Sequence, residues 1–300
     1  MKSYLFHTTF LAIVACLLWS SAFAGIKIGL PYITPLQFAG IRFFISGLLI
    51  LPFTLKWKNY WYFVRNNFSV ILTVALLNNL IHYALFYIGL SMVPAALAAI
   101  VIGSGPLFIA LVAHFYMPDD KLTFKKLAIF LVGFGGIALV SLGRNDFSSV
   151  GNISITGVLL LLLVNLISGF GNVIVARDKQ NIPPLVFSSS MMIIGGGGLF
   201  LISIPIEGWN FGPKPFEFYA ALAWLSFLSA AAISIWFTLL KRPGVKVSNL
   251  NFWKFLIPVS GAILAWTLLP EEKPGLVAII GMIIIASALV MLNIYRRRHS

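Results

Sequence analysis

Apolar residues fill this chain in long continuous runs. Ten segments emerge, at about 8–27, 35–55, 68–90, 95–117, 124–142, 155–176, 184–206, 218–240, 249–269 and 275–295. Each approaches the roughly 20 apolar residues that carry an α-helix across a hydrocarbon core about 30 Å thick. Strands of a membrane barrel would alternate apolar and polar side chains, and these runs do not. Proline and glycine mark the gaps, at Pro31, Pro35, Pro94, Pro118, Pro183-Pro184, Pro243-Gly244 and Pro274-Gly275. The pattern predicts an all-α polytopic membrane protein with ten transmembrane helices.

The pattern is also written twice. Pro106, an apolar run and Pro118-Asp119-Asp120-Lys121 return as Pro258, an apolar run and Pro270-Glu271-Glu272-Lys273, at a constant offset of 152. Ala110 and Ala113 fall on Ala262 and Ala265 without a gap. Thr34-Pro35-Leu36 with Phe38 matches Pro183-Pro184-Leu185 with Phe187 at an offset of 149, and Ser21 and Phe23 match Ser168 and Phe170 at 147. Self-similarity at a fixed period marks an internal duplication. Five segments per copy is an odd number, so the copies cross the bilayer in opposite senses. Such 5+5 inverted repeats are typical of secondary transporters, whose site lies near the midplane.

Composition agrees. The chain has 300 residues, 60% hydrophobic and 10% charged, where a soluble domain carries about 25% charge. A net charge of +13 suggests nucleic acid at first sight. The cations are spread between apolar runs and form no single patch, so no nucleic-acid partner is expected. The expected partners are the lipid bilayer and a small-molecule substrate, with the chain functional as a monomer. Sixteen of the 21 basic residues fall at segment ends on one side and four on the other. Cytoplasmic ends collect Lys and Arg, which predicts cytoplasmic N- and C-termini. The single Cys16 permits no internal disulfide. Lys2, an apolar stretch and Ala22-Phe23-Ala24 imitate a signal peptide. The run continues to Leu30 and pairs with the sixth segment, so the first helix is expected to be retained.

With these residues in view, a family resemblance becomes specific. Leu17-Leu18-Trp19-Ser20-Ser21-Ala22-Phe23 through Lys27 and Gly29 resembles the opening helix of the drug/metabolite transporter superfamily, in the ten-helix bacterial branch built from two EamA domains. Pro35, Phe38-Ala39-Gly40 and Arg42-Phe43 resemble that family's second helix. Ala84-Leu85-Phe86-Tyr87, the alanine-rich 95–99, Pro106 and Asp119-Asp120-Lys121 resemble the third to fifth. The similarity covers about 8–142 and 154–296. It implies an inner-membrane carrier, usually an exporter of amino acids, related metabolites or drugs. The chain departs from the pattern where Asn165-Leu166 stands near the place of Trp19. It also lacks the first-helix glutamate of the four-helix multidrug relatives.

The candidate chemistry is sparse. All eight carboxylates lie in loops or at helix ends. This disfavours a buried carboxylate relay and leaves a histidine relay or uncoupled transport open. The pairs Asp119-Asp120 and Glu271-Glu272 read as loop charges balancing Lys121 and Lys273. His82 lies mid-segment, with Asn78 and Phe86 four residues to either side and thus on one helical face. It reads either as a proton-binding cavity group or as an interhelical hydrogen bond. Asn165, Ser168 and Asn172 form a polar stripe that lipid cannot satisfy, and Trp19, Ser20 and Ser21 are its counterparts in the first copy. Tyr83 and Trp236, with Trp224 and Phe227, could wall a cavity or simply pack. Arg42 and Lys254 are the cations placed to meet a substrate carboxylate; an internal pairing for Arg42 and snorkelling for Lys254 are the competing readings. Pro106 and Pro258 should kink their helices. The run Gly195 to Gly198 suggests a flexible point. Gly103-Ser104-Gly105 hints weakly at a serine nucleophile. No metal or cofactor is expected. The reading that follows is an amino-acid exporter working by alternating access. A proton-coupled multidrug exporter is the main alternative, and an intramembrane enzyme or a non-transporting scaffold the lesser ones.

Overall fold

The computed structural model describes residues 2–54, 56–92, 101–142, 155–178, 181–209, 212–268 and 275–298. These form helices throughout and no strand. The elements are α1 (Lys2–Gly29), α2 (Pro35–Ile50), α3 (Trp57–Asn66), α4 (Phe68–Ala75), α5 (His82–Ser91), α6 (Gly105–Tyr116), α7 (Phe124–Leu142), α8 (Ile155–Ala176), α9 (Pro184–Glu207), α10 (Phe216–Leu240), α11 (Val247–Asn251), α12 (Leu256–Leu268) and α13 (Leu276–Arg298). In each of the ten predicted segments the described residues are helical over most of their length, with α4 and α5 sharing the third and α11 and α12 the ninth. Among the described residues, five helical stretches are long and apolar enough to span a membrane, and shorter apolar helices accompany them. The protein is an all-α polytopic membrane protein. The pair at Glu271-Glu272 lies outside the described residues.

The helices gather into two compact units that do not follow the sequence halves. Unit 1 is Met1–Tyr87 with Ile174–Pro243; unit 2 is Ile88–Val173 with Gly244–Ser300. Each unit therefore takes three segments from one copy and two from the other.

In unit 1, α2 lies against α9 because small residues let the backbones approach. A Cβ at Gly40 would meet Phe200 N at 2.6 Å, and one at Gly196 would meet Phe44 N at 2.5 Å. Gly195 faces the other way, with Asn79 Cβ at 2.6 Å from its ideal Cβ. The predicted flexible point is thus corrected: α9 runs unbroken through the glycines, which are the places where two neighbours touch it. α1 packs along α10, with Leu225 against Gly25 and a core of Ile33, Phe38, Phe218, Leu225 and Leu228. Between α4 and α5, Leu76–Ile81 forms a π-turn. The short α3 buries Tyr60 and Val64 and exposes Trp57, Trp61 and Tyr62, as a helix with one apolar face does. At one end of the unit, the Glu207 carboxylate accepts the Leu36 and Gln37 amides at 3.1 and 3.2 Å, satisfying orphan donors of the α2 N-terminus. At the other end, Lys241 meets Asp178 at 2.5 Å, Asp178 also accepts the Ile182 amide, and Arg242 donates to Thr8.

In unit 2, α7 packs on α13 around Phe130, Ile137, Phe252, Phe255, Ile285 and Ala288. Both repeated prolines sit in the first turn of a helix: Pro106 is second in α6 and Pro258 third in α12. The breaks precede them, at Ser104 and at the 3-10 turn Phe252–Phe255. Proline is tolerated there because first-turn amides lack partners anyway. The predicted kinks are therefore corrected to helix starts. The acidic pair is corrected too. Asp120 is buried at 2% exposure and pairs with Lys126 at 2.7 Å, while Lys121 donates to the His114 carbonyl. Asp120 also accepts the Ser248 amide at 2.7 Å, capping α11.

These contacts test the segment count. Asp120 with Ser248, Lys241 with Asp178, Arg242 with Thr8, and Glu207 with Leu36 each join ends that a ten-segment threading places on one membrane side.

Candidate functional site

The predicted site residues divide between the units: Trp19, Ser20, Ser21, Arg42, Asn78, His82, Tyr83, Phe86 and Trp236 in unit 1, and Asn165, Ser168, Asn172 and Lys254 in unit 2.

In unit 1, aromatic rings meet sparse polar groups. Trp19 on α1 and Trp236 on α10 bring their ring centres to 5.0 Å. Ser21 accepts the Trp224 indole N–H at 3.2 Å, and Ser20 is buried with its hydroxyl donated to the Leu17 carbonyl. Trp224 and Phe227 are exposed and pair with each other at 5.9 Å. Arg42 on α2 is 5% exposed. Its guanidinium lies 4.4 Å from the Phe43 ring centre and 5.6 Å from that of Tyr83, with Nη2 3.5 Å from the Tyr83 hydroxyl. The Phe43 and Tyr83 ring centres lie 4.8 Å apart with their planes tilted by 45°, and the His82 ring lies 4.9 Å from that of Tyr83.

The π-turn alters the predicted face of the third segment. Its bonds span five residues where an α-helix spans four, so Asn78 and His82 are not related by one α-turn. Asn78, His82 and Phe86 are each half-buried. The buried amide is the neighbouring Asn79, 1% exposed, whose amide N and O both lack partners. Sequence periodicity missed it by assuming an α-helical period throughout. The Asn78-Asn79 doublet, two polar residues in an apolar run, was the available signal.

In unit 2 the polar stripe of α8 is bonded. Asn165 donates to the Val101 carbonyl at 2.6 Å and to the Ser104 hydroxyl at 3.1 Å. Asn172 donates to the Ser168 carbonyl at 2.7 Å and accepts from Asn251 at 3.2 Å. Each amide thus holds a helix break, at Ser104 before α6 and at the end of α11. Ser104 gives its proton to the Val101 carbonyl at 2.6 Å, so its hydroxyl serves the break. Lys254 is half-buried in the 3-10 turn before α12.

Comparisons with known proteins converge on one family. The pattern of the EamA-like transporter family matches residues 8–142 and 155–294. The uncharacterized transporter YvbV of Bacillus subtilis (strain 168) is 25% identical, over 96% of this chain and 92% of its own. A Chlamydia muridarum protein named as an S-adenosylmethionine/S-adenosylhomocysteine transporter is 24% identical over 96% and 92%. The uncharacterized inner membrane transporter YedA of Escherichia coli (strain K12) is 26% identical over 93% and 89%. A solved crystal structure shares the fold with a TM-score of 0.79 at 19% identity, over 98% of this chain and 99% of that one.

Proposed function

The chain belongs to the EamA-like transporter family and is a membrane transporter; from that premise we propose that it is a secondary carrier that exports amino acids from the cytoplasm by alternating access. The observation that carries the substrate class is the chemistry of unit 1. Its ring pairs, Trp19 with Trp236 and Phe43 with Tyr83, stand beside few polar groups, which suits a hydrophobic or aromatic amino acid better than a sugar phosphate. The Chlamydia relative supports this direction, since its named substrates carry an amino-acid moiety. The two five-segment copies support alternating access, because such repeats rock around a central site. The relative in the E. coli inner membrane supports the same location here; the basic residues gathered at segment ends on one side support cytoplasmic termini, and the chain is read as working as a monomer.

The eight carboxylates at helix ends and loops argue against a buried carboxylate relay. Half-buried His82, ring to ring with Tyr83, is the group through which a proton could be coupled. Counterflow in proteoliposomes tests the reading, using labelled amino acids with and without an imposed pH gradient. Saturable exchange of phenylalanine or leucine, absent from empty liposomes, is expected. Uptake only of a lipophilic cationic dye, driven by the gradient, would move the chain to multidrug export.

A further inference from the structure

Among the described residues Arg42 is a buried charge without a counter-charge. Its hydrogen bond to Tyr83 is long, at 3.5 Å, and its Nε has no partner. A guanidinium has five N–H donors in a fixed fork, so the fork is largely unfilled. Unit 1 holds three carboxylates, and each is placed elsewhere. Asp178 pairs with Lys241, Glu207 caps α2, and Glu217 is exposed at the start of α10. The two aromatic faces offset only part of what it takes to desolvate an ion. Asn79, in the π-turn four residues before Tyr83, adds a second buried group without partners. Gly195 faces Asn79, and on another side of α9 the next residue, Gly196, faces the backbone of Phe43 and Phe44.

We propose that Arg42, with the Tyr83 hydroxyl and the Asn79 amide, forms a subsite for the carboxylate of an organic solute; this deepens the carrier reading and rests on it. The planar fork suits a carboxylate held by two hydrogen bonds. Phe43 and Tyr83 beside it suit an apolar substituent. No other cation in the described span of α2 supports a dianionic phosphate. The same charge inventory sets a selectivity. Unit 1 offers the guanidinium to an acid and no unengaged buried carboxylate to an ammonium. The subsite therefore reads the acid group and is nearly indifferent to the amine.

The test uses the full chain in lipid nanodiscs, with tryptophan fluorescence as a binding readout separate from transport. The probes are L-phenylalanine, 3-phenylpropanoate and 2-phenylethylamine. Wild type should bind the two acids with affinities within about threefold of each other, and the amine on the order of 10- to 100-fold more weakly, as loss of a charged hydrogen-bond partner implies. Arg42→Gln should erase that preference, Arg42→Lys should keep part of it, and Tyr83→Phe should weaken acid binding severalfold. The wild-type preference needs no variant to fold. An amine bound as well as the acids, an unchanged preference in Arg42→Gln, or no acid binding by wild type at millimolar concentration each overturns the subsite. Acid-selective, Arg42-dependent binding without uptake keeps the subsite and removes the carrier reading. Uptake indifferent to Arg42 does the reverse.

Discussion

Two pairs of buried polar side chains in this protein are satisfied in opposite ways. In unit 2, Asn165 donates to the Val101 carbonyl and the Ser104 hydroxyl at a helix break, and Asn172 donates to the Ser168 carbonyl within α8 while accepting from Asn251 at the end of α11. In unit 1, Arg42 keeps its Nε and Asn79 its whole amide without partners. A buried polar group left unsatisfied costs about 1–3 kcal/mol and more when charged. The unit 2 amides remove that cost internally and stabilise the frame. The unit 1 groups retain it, which is what a ligand with the complementary group would relieve. Asn165 and Asn172 therefore differ from Arg42 and Asn79 in how far their hydrogen bonds are met, although the two sets look alike in sequence; Asn249 and Asn251 in unit 2 each leave one buried oxygen without a partner as well.

The strongest way to break this contrast is at the most complete network in unit 2. Asp120 accepts from Lys126, the Ser248 amide and the Ser248 hydroxyl, with both charged side chains buried. Asp120→Ala leaves Lys126 buried and unpaired, and should destabilise by about 3–5 kcal/mol. The double change Asp120→Ala with Lys126→Met should recover much of that loss. Thermal unfolding in detergent measures both. A single variant as stable as wild type would show that the pair does not hold unit 2 together.

The next effect comes from backbone contact. Gly196→Ala places a methyl 2.5 Å from Phe44 N, while Gly197→Ala meets only the Phe44 ring, at 3.5 Å. The first should cost about 1–3 kcal/mol. The second should be neutral or slightly stabilising, because alanine favours helix over glycine by about 1 kcal/mol. A hinge would respond alike to both, so equal melting temperatures would restore the flexible reading of the run.

Asn165→Ala follows, with a loss of about 1–2 kcal/mol, since two bonds to a break are removed. It also shows what the sequence could reveal. Apolar run length sufficed for ten segments, because satisfying backbone groups in lipid leaves helices as the solution. The stripe Asn165, Ser168, Asn172 was legible as inward-facing from its period. Its partners were not, since Ser104 and Asn251 are 61 and 79 residues away. Helix starts at Pro106 and Pro258 were misread as kinks because sequence shows a proline but not the break ahead of it. Asp120 and Lys126 lie six residues apart across a turn, a spacing no helical period picks out. The sorting of helices into units that cross the sequence halves depends on tertiary packing alone. Arg42 was legible as a candidate by its depth in an apolar run; the lack of a counter-charge required every carboxylate in the unit to be located.

The smallest stability change is expected where the contrast is sharpest. Asn79→Ala removes an amide that makes no hydrogen bond. The bonding term is therefore absent, and deleting two unsatisfied buried atoms works against the loss of packing over Gly195. The net should lie within about 1 kcal/mol of wild type, smaller than for Asn165→Ala even though Asn79 is the more buried of the two. Acid binding should nonetheless fall, by roughly 2- to 10-fold for one neutral hydrogen bond. Melting curves and fluorescence titration on the same preparation read both quantities. A large stability loss with unchanged binding would place Asn79 with the frame residues and leave Arg42 and Tyr83 to hold the carboxylate alone.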